Sequence, residues 1–214
     1  MIWDWIPRNQ PLILGALGEH VVLSALPVLI GLVLAIPLGW LANRFPAARA
    51  LLIPAAGVIY TVPSLALFVL LPVILGTKIL DPANVVVALA VYTLALLVRA
   101  VADALAAVPR SVILSATAMG FRPPRRFLAV ELPLAVPVLV AGLRVATVSN
   151  ISLVSVGALI GVGGLGRLFT DGFERNFPTE VVVGIVLSIL LAALADASLI
   201  GLGRVAAPWT RVAS

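Results

Sequence analysis

Chemistry in this sequence is confined to a few polar islands. The longest, "SATAMGFRPPRRFLAVELP" at residues 115 to 133, holds Arg122, Arg125, Arg126 and Glu131 around a turn marked by Gly120 and Pro123-Pro124. A stretch this polar in so apolar a chain is where a partner at the membrane surface would have to grip. A second island surrounds Pro63, where Tyr60, Thr61 and Ser64 place hydroxyls beside a residue that removes a backbone hydrogen bond. A third comprises Ser149, Asn150 and Ser152, and a fourth is the opposite-charge pair Arg144 and Asp196, each inside an apolar run. None of these is a catalytic set. There is no cysteine and one histidine, His20, so thiolate chemistry is excluded and metal or general-base chemistry has almost nothing to work with. No catalytic residue, metal or cofactor is expected.

The elements that carry these islands belong in lipid. Of 214 residues, 62% are hydrophobic and 11% charged, with mean hydropathy +1.21, whereas a soluble domain carries about a quarter charged residues. The net charge of +5 does not point to nucleic acid, because the arginines are scattered between apolar runs rather than lining one face. Five stretches, about 20–42, 51–75, 84–102, 133–160 and 180–203, are long and apolar enough to cross a bilayer as helices. The expected fold is therefore an all-α integral membrane protein with about five transmembrane helices in one transmembrane domain, residues 20–205. Residues 1–19, with Trp3 and Trp5, read as a retained interfacial segment outside the membrane, and 206–214 as a cytoplasmic tail. With the amino terminus outside and the carboxyl terminus inside, nine arginines fall on the cytoplasmic side against Arg8, Lys78, Arg167 and Arg175 outside.

In that topology residues 103–132 form the largest cytoplasmic loop. A helix-compatible run broken by Pro109 closes at Gly120, Pro123-Pro124 forbid its immediate resumption, and a short helix leads to Pro133 at the start of the fourth span. Ala116, Ala118 and Gly120 make a small-residue face. A basic loop between spans also follows from orientation alone, so the residues leave docking and plain topology both open. The hydroxyls near a kink at Pro63, and Ser149, Asn150 and Ser152, fit either the lining of a solute path or polar contacts between helices. Arg144 lies about 16 Å along its helix from Pro133, and Asp196 about 12 Å from Arg204 at the same side of the membrane, so the two are expected to pair. His20 reads as interfacial. "GVGGLG" at 161–166 lacks the spacing of a dinucleotide loop and reads as a flexible turn just outside the fourth span, shaping an outer gate or merely connecting.

The central loop resembles the cytoplasmic "EAA" loop of binding-protein-dependent ABC transporter permeases. Ala116 matches the second alanine, Gly120 the glycine, and after nine residues Val130, Glu131, Leu132 and Pro133 match the closing motif; Leu114, Ser115 and Val130 depart from the usual glutamate, alanine and isoleucine. The segments "YTVPSLALFVLLPVILG", "VELPLAVPVLVAGLRVATV" and "GALIGVGGLGRLF" are similar to the branch that imports glycine betaine, carnitine and choline. The resemblance implies a MetI-like ABC importer permease fold with a cytoplasmic coupling helix. It further implies ATPase subunits docked on Ser115, Ala116, Gly120, Arg122, Arg125, Arg126, Glu131, Leu132 and Pro133, a second permease subunit, identical or homologous, and an extracytoplasmic solute-binding protein. The absence of a GxxxxGK[ST] phosphate loop agrees, since ATP hydrolysis must then come from another chain. A permease for methionine or another small solute is the rival within the family. A secondary transporter or an intramembrane enzyme fits less well, for want of acidic residues, an inverted repeat or a nucleophile with its base in the spans.

Overall fold

Backbone amides surrounded by apolar side chains and lipid find partners only inside helices, and the computed structural model, which describes residues 1–209, contains helices and no strand among them. Residues 210–214 of the expected tail, Arg211 included, lie outside the described residues. A short α1 (Trp5–Arg8) leads into α2 (Gln10–Arg44), which runs without interruption past Pro27 and Pro37. α2 thus begins at Gln10, and residues 10–19 are helical and continuous with the first expected span.

The second expected span is two helices. α3 (Pro46–Thr61) and α4 (Ser64–Leu75) meet at 103° across Val62 and Pro63, so Pro63 breaks the helix where a kink was expected. Both linking residues are extended, with ψ of 131° and 130°. A proline disfavours the helical conformation of the residue before it, and the ψ of Pro63 itself completes the corner.

α5 (Pro82–Ala106) is the central post, its start capped by the Asp81 carboxylate accepting from the Ala83 amide at 2.9 Å. Buried residues recur along it from Asn84 to Leu105, and it packs closely on α2. A Cβ added at Gly31 would fall 2.5 Å from Thr93, and one at Gly39 2.4 Å from Val101, so glycine sets the distance between these helices. Around α5 form two apolar clusters, one centred on Phe68, Leu89, Tyr92 and Val154, the other on Ala35, Leu97, Val101, Leu105 and Ala146.

After α5 come α6 (Arg110–Ala118) and α7 (Pro123–Arg126), a π-turn at Phe127–Glu131, and α8 (Leu132–Gly157), closed by a 3₁₀ turn at Ala158–Ile160. α9 (Gly166–Glu174) then turns the chain into α10 (Pro178–Ala206). Among the described residues four stretches are long and apolar enough to cross a membrane, and α3 with α4 make a fifth if the bent pair counts as one span. Along α10 only Thr179, Glu180, Val183 and Gly184 are buried, which leaves Ile189, Leu194 and Leu202 as an outward apolar face for lipid or another subunit.

Two expectations need correction here. "GVGGLG" is a tightly packed loop, buried from Val162 to Gly166, because each small residue lets backbone approach backbone: a Cβ at Gly164 would lie 2.6 Å from the Cβ of His20. His20 is likewise fully buried rather than interfacial. Its Nε2 lies 2.9 Å from the Ile151 carbonyl and its Nδ1 accepts from the Leu165 amide at 3.2 Å, so one ring pins this loop between α2 and α8.

Candidate functional site

The polar islands resolve into three sites at different heights of the bundle. The first is built by α6, α7 and the foot of α8. Pro109 stops the chain from continuing α5, and α6 starts at the next residue. At its end Gly120 takes φ +85° while the Phe121 amide reaches back to the Ala116 carbonyl at 3.1 Å, the left-handed termination that glycine permits without a Cβ penalty. Pro123 and Pro124 then occupy the first turn of α7, where their missing amides cost nothing.

Arg126 ties these pieces together. Its Nε donates to Glu131 Oε1 at 2.6 Å and its Nη1 to Thr117 Oγ1 at 2.7 Å, so one guanidinium links α6 to the π-turn beneath α8. Glu131 is 4% exposed and Arg126 only partly exposed, so this is an internal strut. Ala116 also points inward, at 2% exposure, and does not belong to the small-residue face expected on the outside. What α6 and its continuation present outward is Leu114, Ser115, Ala118 and Met119, with Arg122 and Arg125 beside them. Leu114, where a glutamate is usual, is 60% exposed and makes that face apolar.

The second site gathers around the break between α3 and α4. Tyr60 and Tyr92 stack edge to face with centroids 5.9 Å apart, and the Tyr92 hydroxyl donates to the Val62 carbonyl that the break leaves free. Beneath them Asn150 Nδ2 donates to Thr93 Oγ1 at 2.8 Å, and that hydroxyl donates to the Leu89 carbonyl at 2.8 Å. Together with Ser149 these side chains wall a crevice of about 10 Å³, closed to anything larger than one water. Of the residues expected on a solute path, Tyr60, Ser149 and Asn150 are thus brought together. Pro63 and Ser64 form the adjoining corner, and the Thr61 hydroxyl turns back to the Val58 carbonyl at 2.7 Å. Ser152 is elsewhere, in a pocket of about 310 Å³ between α8 and α10 with Ser155 and Ser188. Thr93, and the meeting of Tyr92 with Tyr60, escaped the sequence reading, although the dipeptide Tyr-Thr occurs at both 60–61 and 92–93, the two places that meet.

Tyr92→Phe keeps the ring contact and removes only the hydroxyl, leaving the Val62 carbonyl without its partner at a cost of about 1–2 kcal/mol. The expected outcome is a protein that assembles normally but exchanges its amides faster between residues 60 and 66. Unchanged exchange in that window contradicts the latch.

The third site is an ion pair. Arg144 Nε and Nη2 donate to Asp196 Oδ1 and Oδ2 at 2.6 and 2.8 Å, a two-pronged contact that joins α8 to α10. Both side chains are about one-third exposed, at 39% and 31%, so they face a cleft between helices and not the packed core. Reversing either charge alone is expected to strip the assembled protein from the membrane fraction, because two like charges then meet in an apolar layer. Exchanging both, Arg144→Asp with Asp196→Arg, is expected to restore it; immunoblots of membrane fractions decide, and a double exchange as poor as the singles rejects the pair as a structural contact. Among the described residues no group of three metal-ligating side chains is brought together.

With this geometry in view, comparison with known proteins is specific. The family model described as "Binding-protein-dependent transport system inner membrane component" matches residues 27–212. The chain is 38% identical over 149 residues to the ergothioneine transport permease/ergothioneine binding protein EgtU of Helicobacter pylori (strain G27), covering 70% of this chain and 26% of that longer protein. It is 30% identical over 202 residues to the glycine betaine/carnitine/choline transport system permease protein OpuCD of Bacillus subtilis (strain 168), covering 94% of this chain and 87% of the relative. Among solved structures, an inward-facing form of the MetNI methionine ABC transporter superposes with a TM-score of 0.80 over 96% of this chain and 99% of that one, at 24% identity.

Proposed function

This chain belongs to the binding-protein-dependent transport system inner membrane components, and from that premise we propose that it forms the pathway by which an ABC importer takes up quaternary-amine osmoprotectants of the glycine betaine, carnitine and choline type. The family is a transport component, multi-pass in the membrane, and not an enzyme class. The observation that carries the substrate class is chemical: glycine betaine, carnitine, choline and ergothioneine, the solutes in the relatives' names, share a trimethylammonium group. Methionine has none, and the likeness to its transporter is one of fold.

The crevice at the α3–α4 break supports this reading. The half-exposed Tyr60 ring offers a π-face to a passing cation, with the buried Tyr92 ring packed against it edge to face, and in this reading the crevice of about 10 Å³ is the closed gate. Tight binding then rests with a separate extracytoplasmic protein, and the pathway needs only transient contacts. In this reading the amino terminus lies outside and the carboxyl terminus inside. A second permease subunit completes the path, and ATPase subunits grip residues 103–132 through the outward face of α6. Movement of α6 reaches α8 through the strut Thr117, Arg126 and Glu131.

The substrate class is tested by uptake of labelled choline into liposomes holding the whole importer. Glycine betaine and carnitine are expected to compete, and methionine is not. Competition by methionine in place of the betaines moves the chain to the other branch.

A further inference from the structure

Between the coupling segment and the spans lies a cavity of about 630 Å³, bordered on one side by the Arg126–Glu131 pair and otherwise unused by the contacts above. It opens where α2 ends at Arg44, α5 ends at Ala106 and α6 begins at Arg110. One wall is apolar, with Trp40, Ala106 and Ile113, and the other carries Asn43, Arg44, Arg110 and the paired Arg126 and Glu131. Only Arg126 is neutralised, by Glu131. Arg44 lies over the Phe45 ring at 5.8 Å, and neither it nor Arg110 forms a salt bridge among the described residues. Two unneutralised guanidinium groups therefore face a cavity large enough for a ligand.

The charge calls for an anion, and the fork of an arginine matches the oxygens of a phosphate in particular. The apolar wall calls for something more than a free ion. Tryptophan favours the level of lipid headgroups, and a basic pocket between helix ends on the cytoplasmic side suits an anionic headgroup. We propose that this cavity is a lipid site, in which Arg44 and Arg110 hold the phosphate of an anionic phospholipid while Trp40 and Ile113 pack against its stem. Occupancy would wedge lipid between the ends of α2 and α5 and the first turn of α6, fixing how the coupling helix sits on the bundle. The inference rests on the reading of residues 103–132 as cytoplasmic.

The test uses the assembled importer exchanged into mixed phosphatidylglycerol and phosphatidylcholine, with retained lipid counted by native mass spectrometry. The intact complex is expected to retain phosphatidylglycerol selectively, and Arg44→Gln with Arg110→Gln to lower that retention about thirtyfold, in line with the attraction of two surface arginines for anionic lipid. The charge-preserving pair Arg44→Lys with Arg110→Lys is expected to fall between them, which separates lost binding from lost folding. Equal retention by wild type and both variants overturns the site. So does displacement of the lipid by inorganic phosphate alone, which would make the ligand a free anion, or cross-linking of Asn43→Cys to the ATPase, which would fill the cavity with protein. Betaine-stimulated ATP hydrolysis in phosphatidylcholine alone keeps the two readings apart. If it persists while retention fails, only the lipid site falls; if it is absent in every lipid, the transport reading falls instead.

Discussion

Arg126→Ala is expected to leave ATP hydrolysis running while transport stops. The guanidinium has two ties, to Glu131 at the foot of α8 and to Thr117 on α6, and these polar contacts join α6 to that span. Removing it frees α6 from α8 and strands the Glu131 carboxylate, 4% exposed, without its charge partner. Breaking a buried pair from one side costs about 3 kcal/mol or more, so the single substitution is expected to lower thermal stability as well. Arg126→Leu with Glu131→Leu separates the two effects, since replacing both charges with apolar groups is often neutral for stability. That double variant is expected to melt near the wild-type temperature and still fail to transport. Transport at the wild-type rate in the double variant would show that the strut serves folding alone.

The second large effect is expected at Gly164. Its φ is +41°, and a Cβ there would lie 2.6 to 2.7 Å from the backbone and Cβ of His20 on α2. Overpacking of this kind costs about 1–3 kcal/mol, and a left-handed residue with a Cβ costs about 1–2 kcal/mol more. Gly164→Ala is expected to push the loop off His20, break the Leu165 to Nδ1 bond, and lower the melting temperature of the detergent-purified protein. Gly57→Ala is the matched control, because nothing lies within 4 Å of a Cβ there and the site is helical. Alanine in a helix interior gains about 0.5–1 kcal/mol over glycine, so this variant is expected to melt no lower than wild type. Equal melting of the two variants contradicts the close packing of the loop.

Much of this architecture is written in local sequence. Long apolar runs without internal partners for amides dictate helices, and each of the five runs is helical in the structure. The turn after α6 follows from Gly120 and the two prolines, and helical rise alone puts Arg144 and Asp196 at similar depth, where their side chains meet at 2.6 Å. What stayed hidden depends on partners distant in the chain. His20 finds its acceptor 131 residues away and its donor 145 away, so nothing beside it announces that it is a pin within the core. The loop at 161–166 reads as flexible from its glycines, whereas the same lack of side chains serves close packing. Ala116 is inward because Arg126 folds the π-turn under α6, a tertiary fact that no periodicity carries. The 103° break at Val62 and Pro63 depends on both residues being extended, and the hydroxyl that meets the exposed carbonyl comes from Tyr92, 30 residues on.

In the proposed function this chain is a passive pathway driven through residues 103–132 by a separate motor. This is tested most directly by uptake of labelled choline into liposomes containing the chain, with the ATPase and binding protein either present or left out. Uptake against a gradient only when ATP, ATPase and binding protein are all present is the expected result. Accumulation by the chain alone, at a rate that adding the ATPase does not change, would contradict it.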